Sequence, residues 1–179
     1  KACGGRKIMT LREMYIIEFL KEYRVARTSV LCHFFFFGKS SCYNVLRRMV
    51  NRGDIKKERF MDGLQHCEDI YYVNTLPSQL RHSLALTDFY YKWDVRHGVQ
   101  NFEIQKKLGD IIPDGVMEYD NKIAIVEVEL SKKGFNYLKY ERWCLSGEYK
   151  NYFHEMPEII VYGNAKIPTS TVAKYRVVS

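Results

Sequence analysis

The chain has 179 residues and a formal net charge of +7, with 46% apolar and 15% aromatic residues. That is enough to build the core of one medium domain or two small ones. No stretch reaches the roughly 18 uncharged apolar residues of a membrane helix, and no signal peptide opens the sequence, so a membrane partner is not expected.

The charge is uneven. Residues 1–75 carry 14 Lys and Arg against 8 Asp and Glu, whereas residues 76–179 carry 14 against 13. Thr10-Leu-Arg-Glu13 forms a capping box and predicts a helix to about Tyr23 that buries Leu11, Met14, Ile16, Phe19, Leu20 and Tyr23. Thr28 or Ser29 is placed to cap a short second helix through Val30, Leu31 and the phenylalanines that follow. Gly38-Lys39-Ser40-Ser41 supplies a turn and the N-cap of a third helix ending at Arg52, with Gly53 as its C′ residue. Helical spacing turns Cys42, Val45, Leu46, Met49 and Val50 inward, and Tyr43, Asn44, Arg47, Arg48, Asn51 and Arg52 outward.

Residues 54–60 and 69–74 read as two strands joined around Asp62-Gly63, the first carrying Lys56, Lys57 and Arg59. Three helices followed by a basic hairpin is the order of a winged helix-turn-helix, in which the second helix of the pair enters the major groove. Between Lys39 and Arg59 there are seven basic residues and two acidic ones, which points to a polyanion. Double-stranded DNA is therefore the expected partner of residues 8–75, contacted by Lys39, Tyr43, Asn44, Arg47, Arg48, Arg52, Lys56, Lys57 and Arg59. Arg can read guanine and Asn adenine, while Lys holds phosphates. A role in protein contacts is the competing reading.

Residues 74–80, around Pro77, read as a linker. Beyond it, a helix of about four turns ends at Gly98, and a strand is expected over residues 102–108. A hairpin follows. Asp120-Asn121 suits a two-residue turn, since both residues tolerate positive φ. Paired positions then sum to 241, so that Asp114 faces Glu127, with Glu129 on the same face. Like charges placed opposite one another destabilise a sheet, so a cation, a lysine or water is expected there. A helix over residues 134–146, an apolar strand over 158–163 and a last amphipathic stretch from Pro168 complete the chain. Residues 80–179 thus read as a small α/β (α+β) domain on a mixed sheet.

This order and its acidic positions resemble the PD-(D/E)XK nuclease-like fold. There, an Asp after Pro and an acidic residue on the next strand hold a divalent metal beside the scissile phosphate. Pro113-Asp114 and Glu127 match, but Glu129 stands where a lysine is expected. A carboxylate cannot orient the attacking water or stabilise developing negative charge as that lysine does. Lys132, Lys133 or Lys139 would have to reach in, and His82 is a further candidate for a catalytic part.

Over residues 10–163 the chain resembles the replication-relaxation family of plasmids and other mobile elements of mainly Gram-positive bacteria. The residues that carry the likeness are His82-Ser83-Leu84, the Pro-Asp strand, the acidic strand and Lys139-Tyr140-Glu141. The resemblance implies a part in plasmid replication, DNA relaxation or transfer, or their transcriptional control.

Three readings follow. The nuclease-like domain is catalytically silent, needs no cofactor and serves assembly, as a homodimer or with other plasmid replication or transfer proteins. Alternatively it cuts DNA with Mg or Mn held by Asp114 and Glu127, and with Glu129, Lys132, Lys139 and His82 beside them. Or the chain is a scaffold for another replication or transfer protein. Five histidines show no zinc spacing, and there is no Walker loop or Gly-x-Ser-x-Gly elbow. Five cysteines without a CxxC, an odd number, argue against a disulfide framework and for a reducing cytoplasmic location.

Overall fold

The computed structural model describes residues 9–62, 66–131, 134–163, 165–167 and 171–178. The architecture is mixed α/β, with one antiparallel three-stranded sheet and one mixed five-stranded sheet, each accompanied by helices. Two compact units, Lys1–Thr87 and Asp88–Ser179, divide the chain. Among the described residues no helix is long and apolar enough to cross a membrane.

The first unit opens with α1, Leu11–Tyr23. The capping box is present: Glu13 N donates to Thr10 Oγ1 at 3.3 Å, and Thr10 N donates to Glu13 Oε2 at 2.9 Å. The buried stripe of α1 is Glu13, Ile16, Leu20 and Tyr23. Leu11 and Met14, expected inside, are 68% and 45% exposed because they lie off that stripe.

Next come β1 (Ala26–Arg27), α2 (Thr28–Phe35), α3 (Lys39–Arg52), β2 (Lys56–Asp62) and β3 (His66–Tyr72). β3 lies between β1 and β2, antiparallel to both. Two residues of β1 are too few to show an alternating pattern in the sequence. α2 is not capped by Thr28 or Ser29. Arg27 is its N-cap, and the carboxylate of Glu68 on β3 accepts from Ser29 N at 2.6 Å instead. α3 starts two residues earlier than expected, after Gly38, and ends on Gly53 with φ +80°. Cys42, Leu46 and Met49 are its buried residues, and Cys32 of α2 is disulfide-bonded to Cys42 of α3, with Cα atoms 5.6 Å apart. This pairing corrects the reading from cysteine number, which cannot tell which residues two adjoining helices bring together.

Helix α4, Leu80–His97, runs through the division between the units. Its first turns belong to the first unit: Leu84 is buried with Val25 and Ile70, and Leu76, Leu80 and Phe60 pack against them. Its later turns carry Phe89 and Trp93, which pack on Phe102, Tyr119 and Tyr162 of the second unit.

That unit adds β4 (Val99–Ile104), β5 (Gly115–Tyr119), β6 (Lys122–Glu129), α5 (Tyr137–Leu145), a 3₁₀ turn (Glu148–Asn151), β7 (Glu158–Gly163) and β8 (Lys174–Val178). The strands lie in chain order, β4 to β6 antiparallel and β6 to β8 parallel. Parallel β6 and β7 need a crossover, and α5 provides it. Tyr140, Trp143 and Cys144 of α5 are buried with Val116, Ile125, Ile159 and Val161.

The hairpin register is as expected: Gly115 pairs with Val126 and Tyr119 with Lys122, around Asp120 and Asn121 at φ +48° and +58°. Three boundaries differ. β4 ends before Gln105, whose φ of +50° leaves the strand conformation. α5 begins at Tyr137, because Gly134 at φ +90° lies outside helical space. Residues 174–178 form a strand where only an amphipathic stretch was recognised. At the end of β7 only glycine fits: a Cβ on Gly163 would lie 2.1 Å from the Glu129 carbonyl oxygen, at φ +123°.

Because Leu80 and Leu84 pack on the first unit, a fragment ending at Asp88 should be more stable than one ending at Leu76, by about 2 kcal/mol or more. Urea melts of the two fragments measure this, and equal midpoints with equal slopes would contradict it.

Candidate functional site

Two regions carry the residues singled out in the sequence, and they lie in different units. The first is the outer side of α3. Lys39, Tyr43, Asn44, Arg47, Arg48 and Asn51 are exposed, and Arg52 is half-buried. Asn44, Arg47, Arg48, Asn51 and Arg52 line an open concavity of about 460 Å³. Among the described residues, the side chains of Asn44, Arg47 and Asn51 have no hydrogen-bond or ion-pair partner, so they are available to a ligand.

Arg48 and Arg52 differ from those three. Both turn back toward Glu13 of α1, which is fully buried. Arg48 Nε and Nη2 donate to Glu13 Oε1 at 3.1 and 2.8 Å. Arg52 Nη2 lies 3.0 Å from the same oxygen, and Arg52 Nε donates to Asp54 Oδ2 at 2.7 Å. Burial alone would raise the Glu13 pKa, but the Thr10 N–H and the two guanidiniums outweigh it and hold the carboxyl at about 2. From sequence, Glu13 is expected only to complete the capping box. The signal available was its position: Ile16, Leu20 and Tyr23 continue the helical stripe on which Glu13 sits, and a buried carboxylate needs cations.

The hairpin β2–β3 belongs to the same unit, with Lys56, Lys57 and Arg59 exposed on β2. Each has a local partner: Lys56 Nζ donates to the Asn74 carbonyl at 2.7 Å, Lys57 pairs with Asp69 at 3.0 Å, and Arg59 Nε meets Cys67 Sγ at 2.7 Å. Exposed pairs of this kind are weak and exchange readily for a phosphate. Tyr43 lines a second concavity with Lys57, Arg59, Glu68 and Asp69, so the strand facing β2 brings acid as well as base to this surface.

The second region is the carboxylate hairpin. Asp114 precedes β5, and continuing the register sets it opposite Glu127. Asp114 Oδ2 accepts from Val128 N at 2.8 Å. The Glu127 side chain is 13% exposed, and its Oε1 accepts from Lys139 Nζ at 2.9 Å and from the Tyr140 hydroxyl in a short hydrogen bond. Burial raises the Glu127 pKa and the charge of Asp114 raises it further, while Lys139 and Tyr140 oppose the rise without cancelling it. Burial and Glu127 push Tyr140 upward as well, so the phenol stays protonated and donates.

Glu129 turns to its own strand end, where Oε1 accepts from Ser131 N at 2.7 Å. Lys132 and Lys133 lie outside the described residues. His82 is half-buried on the first turns of α4, within the first unit.

The oxygens of Asp114 and Glu127 have the chemistry that Mg or Mn prefers. The fit is incomplete, however, because the Lys139 ammonium already occupies Glu127 Oε1 and would have to give way to an ion there. Among the described residues no three His, Cys, Asp or Glu side chains form a group that could hold a metal. Among the described residues, Lys139 is the sequence-named lysine brought to the carboxylates. Tyr140 is named from sequence only within Lys139-Tyr140-Glu141, and spacing does not show that its hydroxyl points at Glu127.

No protein-family model matches the chain, and no curated protein or solved structure matches it either.

The lowered Glu13 pKa has a sign that can be tested. A carboxyl held below its unfolded value contributes stability that is fully present above the ordinary carboxylate range and is lost as pH falls through about 2. Glu13→Gln should therefore cost about 1–3 kcal/mol near neutral pH, with the gap to the parent closing toward pH 2. Thermal melts across that range check it, and a gap that does not change with pH would contradict it.

Proposed function

We propose that the chain is a DNA-binding protein whose first unit is a winged helix-turn-helix, with α3 as the helix that enters the major groove and β2–β3 as the wing. The observation that carries this reading is the exposed row Asn44, Arg47, Arg48 and Asn51 on α3, together with the exposed Lys56, Lys57 and Arg59 of β2, two of which share a concavity with Tyr43 of α3. The order α1–β1–α2–α3–β2–β3, with β3 between β1 and β2, supports it. Asn44 and Asn51 suit adenine and Arg47 suits guanine, while the exposed wing cations suit phosphates.

The second unit, with helix, three antiparallel strands, crossover helix and parallel strand, is proposed to be PD-(D/E)XK-like and catalytically silent. Each member of its acidic pair already has an internal partner: Lys139 and Tyr140 on Glu127, and the Val128 N–H on Asp114. The biological setting in this reading is a plasmid or other mobile element, where such a protein serves replication, transfer or their control.

A second reading has one specific observation in its favour. Lys139 brings an ammonium to within 2.9 Å of Glu127 from α5, which supplies in space the charge that Glu129 removes from the strand. A metal-dependent DNA nuclease would use it to stabilise the developing negative charge.

The deciding experiment incubates the full chain with a random-sequence duplex pool in Mg²⁺, Mn²⁺ or EDTA, scoring both shifted and cut DNA. Shifted, uncut DNA is expected in all three. Arg47→Ala should cost about 1–3 kcal/mol at a selected site, and Lys57→Ala should flatten the salt slope by about one unit on any sequence. Metal-dependent cutting abolished by Asp114→Asn and by Glu127→Gln, with binding kept, would replace the first reading by the second.

A further inference from the structure

Glu13 is wholly buried, yet it holds Arg48 of the exposed row on α3, along with the half-buried Arg52. The carboxylate is itself fixed. Oε2 accepts from Thr10 N at 2.9 Å, which leaves Oε1 pointed at α3, where it accepts two N–H groups from Arg48 and lies 3.0 Å from Arg52 Nη2.

A guanidinium has five N–H donors in a rigid plane. Arg48 gives Glu13 one from Nε and one from Nη2. Its opposite edge, Nη1 with the second hydrogen of Nη2, retains the spacing that matches the O6 and N7 of guanine or two phosphate oxygens. The Arg48 side chain remains 46% exposed and lines the concavity it shares with Asn44, Arg47 and Asn51.

We propose that Glu13 is a positioning residue for nucleic-acid recognition: from the far side of α3 it holds the Arg48 guanidinium in one orientation, with its free edge toward the ligand. This rests on the reading of α3 as the DNA-contacting helix. It divides the contact row into two kinds of side chain. Asn44, Arg47 and Asn51 are ordered when the ligand binds. Arg48 is ordered when the protein folds, so its rotamer entropy is lost before binding rather than on binding. Arg52, half-buried between Glu13 and Asp54, completes the clamp and makes little direct contact.

A carboxylate beside a DNA-binding arginine also opposes the approach of phosphates. Glu13 is on the inner side of α3 with no exposure, and its charge is matched by two guanidiniums, so orientation should dominate over repulsion.

The test uses the full chain and a duplex selected by it from a random pool, with a random-sequence duplex as reference. Affinities of the parent, Glu13→Gln, Arg48→Ala, Arg48→Lys, the Glu13→Gln/Arg48→Ala double variant and Arg47→Ala are measured at fixed salt. Gln at position 13 can still complete the capping box, and melts establish which variants are folded. Glu13→Gln should weaken the selected duplex about tenfold, and the random duplex no more than about twofold. The double variant should bind no worse than Arg48→Ala alone, because Glu13 acts through Arg48.

Unchanged or tighter binding by Glu13→Gln, or losses that add in the double variant, would overturn the proposal while leaving the DNA-binding reading intact if Arg47→Ala still loses affinity. A parent protein that binds no duplex overturns both. If Glu13→Gln does not fold, Arg48→Lys decides. Lysine keeps the charge without the fork, so a loss confined to the selected duplex supports orientation, and parent-like selectivity overturns it.

Discussion

Glu13 lies on the buried stripe of α1 with Ile16 and Leu20 and has no exposure to water, and the arrangement of the first unit follows from how its charge is satisfied. Burying a carboxylate without partners would cost more than a small domain's margin of stability. Glu13 therefore needs cations, and Arg48 and Arg52 are the ones α3 supplies. Meeting that need fixes the rotation of α3 about its axis relative to α1. With Arg48 and Arg52 turned toward α1 on one side and Cys42, Leu46 and Met49 in the core, Asn44, Arg47 and Asn51 are left facing outward. The same interaction that satisfies the interior thus decides which residues the surface presents.

The second unit meets a related electrostatic problem with a different solution. Asp114 and Glu127 are set opposite each other by the register of a two-residue turn. The sheet accommodates them by giving each a donor: the Val128 N–H for Asp114, and an ammonium and a phenol from α5 for Glu127. The crossover helix that makes β6 and β7 parallel is also the element that delivers those two donors. One account of the acidic pair is therefore structural, since it ties α5 to the sheet end. It becomes chemical only if a metal ion competes with Lys139 for the same oxygen.

Much of this was legible from residues close in sequence. The capping box at Thr10, the Gly53 stop, the Asp120-Asn121 turn and the sum of 241 rest on local chemistry that acts wherever those residues occur. Periodicity alone placed Cys42, Leu46 and Met49 inside and Tyr43, Asn44, Arg47 and Asn51 outside, but not the half-buried Arg52. What could not be read depends on partners far along the chain. Glu68 caps α2 across 39 positions, and Arg48 reaches Glu13 across 35. The Cys32–Cys42 pair joins two helices whose packing no cysteine number reveals. β1 is two residues long, and β8, Lys-Tyr-Arg-Val-Val, reads from sequence only as part of an amphipathic stretch. Leu11 and Met14 show the converse, since apolar residues in a helical pattern are buried only where a neighbour covers them.

The central claim is that α3 and the β2–β3 hairpin form the surface that meets DNA. Backbone amide hydrogen exchange of the full chain, with and without a saturating duplex in EDTA, tests it most directly. The expected result is added protection in residues 39–52 and along β2 and β3, with β5, β6 and α5 unchanged. Protection confined to the Asp114–Glu127 hairpin and α5, with α3 exchanging as in the unbound protein, would contradict it.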